Sequence, residues 1–375
     1  MRYLITILLF SLTLNISFGQ DNLPTFTEDG QVMLNGKVQK LEQLDDKTKE
    51  YVKSYQRQQA VLIFSESLSA MTKGQDRVAF SMLDSATKLD PELAEAFANK
   101  GLILARNNQL QKASTAFEKA ISLDSTLPMP WQGKALVYQK AGMNEKALSS
   151  LDTLLMLSPQ NTQAYFQRGI IYSSQGHNSK ALKDFDLASS YDSTFAPAYY
   201  EHGKLALSLI DSATAYKDFS KAILLDSTQY QYYLSRGNLL LGMTQYDSAQ
   251  ADYHKSLALK ATSLAHNQRG ITYQRTGEYE LALADFSKAI QLEDGIAAFY
   301  LNRSSAHLQL QNLEAAFSDI NKAIQLAPES GKAYLNKGII QELMKQPTEA
   351  CTSWQKALEL GETLAEIYLQ ESCGN

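Results

Sequence analysis

Along most of this chain, apolar and small residues return on a helical period nested inside a longer one of 34 residues. Ala113, Phe117 and Ala120 set the pattern. It recurs as Ala181, Phe185 and Ala188, as Ala215, Phe219 and Ala222, as Ala282, Phe286 and Ala289, and as Ala350, Trp354 and Ala357. Positions four and seven residues apart share one helical face, so each copy is the stripe of an amphipathic helix that needs a neighbour to cover it. Ahead of each stripe runs an aromatic, then Gly, often then Tyr: Tyr165, Gly169 and Tyr172; Tyr199 and Gly203; Tyr233 and Gly237; Gly270 and Tyr273; Tyr334 and Gly338. The two halves predict a helical hairpin, with the Gly of the first helix at a point of close packing. A period of this size predicts a stack of hairpins that seal one another in a row. Such a stack buries a continuous core at any length, whereas 375 residues exceed the size at which one core keeps growing.

At these offsets the chain resembles the tetratricopeptide repeat. Eight units match, at 94–127, 128–161, 162–195, 196–229, 230–262, 263–296, 297–330 and 331–362, and a weaker ninth at 60–93 rests on Ala79, Leu83, Ala86 and Pro91. The resemblance implies an all-α fold: a right-handed superhelix of about nine hairpins over 60–362, with a capping helix and C-terminus in 363–375. It also implies a protein or peptide partner in a concave groove lined by the first helices. On that basis the sixth place of each unit faces the groove: Asn99, Gly133, Gln167, Glu201, Ser235, Gln268, Asn302 and Asn336. Amides donate and accept together and suit an extended backbone. Nine of the twenty tyrosines fall between 191 and 253, which adds Tyr200, Tyr232 and Tyr216, with Phe166, Lys204 and Asn238, as candidates for the groove's centre. Repeat consensus and ordinary core packing explain these residues equally. Asn302, Lys332 and Asn336 approach the carboxylate clamp of chaperone-docking relatives but lack its Arg and its initial Lys-Asn set.

Unit connectors depart from the pattern. Pro closes units at Pro91, Pro159 and Pro328, but Asp-Ser-Thr stands at 124–126, 192–194 and 226–228, where Asp and Ser are expected to cap the following helix. The unit at 230–262 is one residue short, which fits either a hinge or a tighter connector.

The residue before each Gly place is basic: Lys100, Lys134, Arg168, His202, Arg236, Arg269, Arg303 and Lys337. Sixteen residues later, every copy with Arg or His carries Asp and every copy with Lys lacks it. This predicts five structural ion pairs, Arg168 with Asp184, His202 with Asp218, Arg236 with Asp252, Arg269 with Asp285 and Arg303 with Asp319, because the planar guanidinium fork matches a carboxylate. Snorkelling of the bases to solvent is the alternative.

The ends of the chain do not repeat. Met1-Arg2, an apolar run over 3–14 and then Ser17, Phe18 and Gly19 have the parts of a secretory signal, 1–19, an uncleaved anchor being the other reading. The run is short for a membrane span and no Cys follows it to take a lipid. With the repeats, this is similar to exported proteins of Gram-negative bacteria and implies the periplasm or cell surface. In the segment 20–59, Asn35-Gly36 predicts a β-hairpin over 31–40 that has to lean on the stack. Asp45-Asp46 caps a helix running from there into the first unit. At the far end, the break at Leu360-Gly361 folds a helix over 363–371 back, with Ala365, Ile367 and Leu369 available for contacts. This brings Cys351 near Cys373, for a disulfide contributing roughly 2–4 kcal/mol in an oxidising compartment, or else two buried thiols.

Composition narrows the function. A net charge of −5 and a pI near 5.7, with no basic tract, argue against nucleic acid. His177, His202, His254, His266 and His307 share no metal spacing, and neither a nucleophile elbow nor a phosphate loop occurs, so no catalytic residue, metal or cofactor is expected. Asp followed by Ser resembles an O-glycosylation signal of some Gram-negative bacteria, with Ser125, Ser193 and Ser227 as acceptors, although capping accounts for the same dipeptides. The expected role is a non-catalytic scaffold or adaptor of the envelope. A holding chaperone for unfolded chains and a non-catalytic subunit of an envelope enzyme complex are the alternatives.

Overall fold

In the computed structural model the described residues are 23–26, 31–34 and 36–374. The expected signal at 1–19 and Asn35 of the expected turn lie outside them. The chain divides into two compact units, 1–171 and 172–375.

The first unit opens with three antiparallel strands in the order β1 (Thr25–Phe26), β2 (Val32–Leu34) and β3 (Lys37–Gln39), so the expected hairpin gains a strand. So small a sheet cannot bury a face by itself. Val32 and Leu44 close instead on Tyr51 and Val52 of α1 (Asp46–Thr72), and Phe26 stacks on Tyr55. Asp45 caps α1, accepting from the Thr48 amide at 3.0 Å and its hydroxyl at 2.6 Å. These bonds hold the Asp45 carboxyl below its usual range. There follow α2 (Asp76–Leu89), α3 (Ala94–Arg106), α4 (Leu110–Leu123), α5 (Pro128–Lys140), α6 (Asn144–Leu157) and α7 (Thr162–Ser174), in which the unit ends.

The second unit holds α8 (Asn178–Tyr191), α9 (Ala196–Ser208), α10 (Ser212–Leu225), α11 (Tyr230–Gly242), α12 (Tyr246–Leu259), α13 (Ser263–Thr276), α14 (Tyr279–Leu292), α15 (Ala297–Gln309), α16 (Leu313–Leu326), α17 (Gly331–Leu343), α18 (Pro347–Glu359) and α19 (Ala365–Ser372). Within each unit, consecutive helices pair as hairpins, second helices pack on the next first helix, and several successive first helices touch. This is an α-solenoid. Several pairs are clamped where a glycine of the first helix meets a ring sixteen residues on. A methyl group on Gly101 would stand 2.7 Å from the Phe117 ring, one on Gly237 2.8 Å from Tyr253, and one on Gly270 2.7 Å from Phe286; Gly338 meets Trp354 in the same way. The four rings are fully buried.

The Asp-Ser-Thr connectors correct an expectation. Asp124, Asp192 and Asp226 do not cap the helix that follows; each ends the preceding helix and turns its carboxylate to the Thr two residues on, at 2.8–2.9 Å to the amide and 2.6 Å to the hydroxyl. The spacing makes an Asx turn, which bends the chain before the next helix begins. Ser125, Ser193 and Ser227 are placed beside it, all three exposed. The short connector 260–262 has no Asp, and Thr262 caps α13 by accepting from the Ala265 amide at 3.2 Å.

At the C-terminus, Cys351 and Cys373 form a disulfide with Cα atoms 5.9 Å apart. Tyr368 stacks on Trp354 at 5.0 Å, and Ala365 and Leu369 complete the contact. Ile367 faces solvent, contrary to its expected role. Residues two apart point to different sides of a helix, so 365, 368 and 369 form the inner face.

Within hairpins the turn places one residue at positive φ at the same register each time. Gly serves at 74, 142, 176 and 277, but Asn108, Ile210, Thr244, Gln311 and Lys345 serve elsewhere. Ile210, with φ 66° and 90 % exposure, carries the strain of a β-branched residue there without any packing in return. Ile210→Asn should therefore raise stability by about 1 kcal/mol, seen as an upward shift in the thermal midpoint with unchanged circular dichroism; an unchanged or lower midpoint would show that the turn is not strained.

Candidate functional site

Two arrangements arise from the repeat register. The first is a ladder of charges. Because Gly and ring stand level, the basic residue before the Gly and the acid before the ring are level too. Arg236 donates from Nε and Nη2 to Asp252, both at 2.7 Å; Arg303 does so to Asp319, both at 2.7 Å; Arg269 reaches Asp285 at 2.7 and 2.8 Å. His202 Nδ1 lies 2.6 Å from Asp218. Arg168 and Asp184 belong to different units, and Asp184 is buried on α8.

The bases also reach backward, to the second helix of the preceding hairpin, a contact not expected from sequence. Lys100 bonds Asp84 at 2.6 Å, Arg168 bonds Asp152 at 2.7 Å, and Lys134 lies 3.7 Å from Glu118. Arg236 and Arg303 use their remaining Nη1 for Ser220 at 3.0 Å and Ser287 at 3.2 Å. An ammonium is one point charge and a guanidinium a fork. The signal was present in the sequence: an acid or Ser stands sixteen residues before each of these bases as well as after several of them.

Histidines enter the same network. His266 Nδ1 lies 2.8 Å from Asp285, beside Arg269. The hydrogen bond to Asp218 raises the His202 pKa above 6.5; burial opposes this, while Asp218, Asp186 and Asp211 add their negative charge. Burial pushes His307 downward. Among the described residues no group of His, Cys, Asp and Glu is arranged to hold a metal ion.

The second arrangement is the face made by the first helices. Several candidates there are committed to the protein itself. Asn99 is buried and donates to the Glu95 carbonyl at 2.8 Å within its own helix. Tyr232 is 7 % exposed and packs with Ala196 and Ala222, while Tyr200 packs against it at 4.7 Å and its hydroxyl lies 3.1 Å from Ser235 Oγ. The expected tyrosine patch is thus corrected: two of its rings turn inward on each other, and only Tyr216 is exposed, under Arg236. Lys204 pairs with Glu201 at 2.9 Å. Asn238 accepts from Gln268 at 3.1 Å and from the Tyr253 hydroxyl at 2.9 Å, the latter proton being held by burial and by Asp252. Gly133 receives the Phe117 ring, and Phe166 and Gln167 lie half-buried on α7.

Asn302 and Asn336 are brought together. They line a cavity of about 480 Å³ between α13, α15 and α17. Asn302 spends one donor on Asn267 at 2.9 Å, and Gln274 bonds Ser305 at 3.0 Å. Arg275 and Lys332 bring two positive charges, and no acid is among the lining residues. The sixth place of each unit supplies only part of this wall; continuing the same face by three and four residues reaches Ile271, Gln274 and Arg275 on α13 and Ser305 and Gln309 on α15. The cavity can take hydrogen bonds from an extended chain and neutralise an anionic group, and it holds no nucleophile paired with a base.

Residues 263–294 match the tetratricopeptide repeat, as do 94–127, 162–195 and 297–330. No curated protein matches the chain. Among solved structures, a chain of the APC/C hetero-tetramer Cut9-Hcn1 is 18 % identical, aligned over 88 % of this chain and 65 % of its own, with a TM-score of 0.50, a likeness of fold alone. A tetratricopeptide repeat protein from Parabacteroides merdae is 23 % identical over 66 % of this chain and 99 % of its own, TM-score 0.48. YrrB, a TPR protein with an unusual peptide-binding site, is 22 % identical over 50 % and 97 %, TM-score 0.46.

The ladder makes two predictions. Arg236→Ala and Asp252→Ala should each destabilise, yet the double mutant should lose less than their sum by about 1–3 kcal/mol, since either single change strands a buried partner; additive denaturation losses would show that the pair is uncoupled. His202 should titrate above 6.5 by NMR. A raised folded pKa means that its pairing stabilises fully below the unfolded value and fades as pH rises through the folded one. The melting penalty of Asp218→Asn should therefore be larger at acidic than at alkaline pH, and a pH-independent penalty would contradict this.

Proposed function

We propose that this chain, which belongs to the tetratricopeptide-repeat family, is a non-catalytic scaffold of the bacterial envelope whose ligand is a peptide segment of a partner protein. The observation that carries the reading is the cavity between α13, α15 and α17, where amides, a hydroxyl and two cations converge without a facing acid. Amides offer donors and acceptors at once, as a peptide backbone requires. Arg275 and Lys332 favour a segment carrying a carboxylate. Export is supported by the Arg2-led apolar start of the sequence and by the Cys351 to Cys373 bridge, which persists in oxidising compartments. Among the described residues no helix is long and apolar enough to cross a membrane. Ser125, Ser193 and Ser227 are the candidate sites of glycosylation there.

The test is affinity purification from envelope extracts with the wild-type chain and with Arg275→Glu combined with Lys332→Glu. The wild type should retain one partner at fixed ratio, and the charge-reversed variant, with an unchanged melting curve, should lose it at least tenfold. Equal retention by both would remove the cavity from the account. Equal suppression by both of the aggregation of unrelated unfolded chains, with no fixed partner, would replace the scaffold by a holding chaperone.

A further inference from the structure

The first unit contains a place where the repeat omits two of its own side chains. Between α2, α3 and α4 lies an open cavity of about 650 Å³, floored by Phe80, Phe97, Leu104 and Ala116 and rimmed by Lys100, Lys112 and Lys119. It is separate from the amide-lined cavity of the second unit.

The register says what is missing. In the place of Ala116, the later copies carry Asp184, Asp218, Asp252, Asp285 and Asp319, or Ser. In the place of Leu104, three copies carry a tyrosine: Tyr138, Tyr172 and Tyr273. The next hairpin shows how the cavity's lysines behave around such a ring. Lys134 and Lys146 occupy the places of Lys100 and Lys112, and their ammonium groups lie 5.4 and 5.7 Å from the centre of the Tyr138 ring. Lys180 repeats the contact on Tyr172 at 5.2 Å. In the α3–α4 hairpin the same two lysines and a shorter Leu line the cavity, with Phe80 and Phe97 on its floor.

Charge agrees with shape. Lys100 is satisfied by Asp84 at 2.6 Å, with its ammonium 5.3 Å from the Phe80 ring. Lys112 and Lys119 are exposed and form no ion pair among the described residues. At these two places the cavity lacks the tyrosine that three sister copies carry and the carboxylate that five carry. A ligand that fits brings the two together.

We propose that this cavity is a second binding site, which takes an aromatic side chain flanked by carboxylates from an acidic segment of a partner protein. The ring lies on Leu104 and Ala116 between Lys100 and Lys112, in cation–π contact of the kind that the next hairpin makes with Tyr138. The flanking carboxylates meet Lys112 and Lys119 at the rim. The site stands independently of the amide-lined cavity.

The probe is a fluorescein-labelled peptide with a single phenylalanine between two pairs of glutamates, measured by anisotropy on the full chain at low salt. The wild type should bind it, and replacing the phenylalanine by alanine, or the glutamates by glutamines, should weaken binding at least tenfold. Leu104→Tyr and Ala116→Asp supply the missing groups from within, so each should weaken binding by a similar factor while the melting temperature holds or rises. Lys112→Ala with Lys119→Ala should weaken it without altering the fold, and Arg275→Glu with Lys332→Glu should leave it unchanged. No binding by the wild type, or equal binding by the two filling variants, would overturn the proposal. So would binding of anionic phosphatidylglycerol vesicles that the filling variants abolish, with no binding of the peptide, because the occupant would then be a lipid surface.

Discussion

A glycine of one helix seated on a buried ring of the next sets the register of the solenoid. A glycine inside a helix costs about 1 kcal/mol, and full burial of a large apolar side chain returns roughly 1.5–3 kcal/mol. The exchange is favourable in each hairpin that carries the glycine and the ring, and it recurs along the chain. It also sets a level: Gly101 opposite Phe117, Gly237 opposite Tyr253 and Gly270 opposite Phe286 are each sixteen residues apart. Every residue that precedes these by one position is brought opposite its counterpart for the same reason.

The charge ladder follows from that level. Arg236 and Arg303 fork onto the acid of their own hairpin and extend a third nitrogen to the hairpin before, so one side chain ties three helices. Lys100, with one ammonium, has its acid on the preceding helix, and the following place is Ala116. Charge placement thus tracks the number of donors. Buried pairs of this kind add little net stability, because desolvation offsets most of the attraction. Their effect is on register, where a slipped hairpin would strand several buried carboxylates at once.

Binding surfaces arise where the repeat relaxes. On the first-helix face of the second unit, side chains that are not needed for packing are amides and cations, and they enclose a polar cavity. In the first unit, a small residue in the acid's place and Leu in the ring's place open an apolar cavity among lysines. Both use positions that the helical contacts leave unconstrained, so the scaffold can carry them without losing its clamps.

Periodicity within one or two adjacent helices is enough to read from the residues alone the hairpins, their pairing, the close packing at the glycines and the approach of Cys351 to Cys373. The rest, including the ring that each glycine meets, came from the packing of helices in three dimensions, and much of it from how one hairpin turns against the next. The backward bonds of Lys100 and Arg168, the inward rotation of Tyr200 and Tyr232, and the mutual satisfaction of Asn238 with Gln268 and of Asn267 with Asn302 are contacts between hairpins. Their donors and rings read as free while each hairpin is considered alone. The added strand β1 and the Asx turns at Asp124, Asp192 and Asp226 were hidden for another reason: two-residue strands carry no periodic signal, and an Asp before a helix serves equally as its cap or as the end of the helix before.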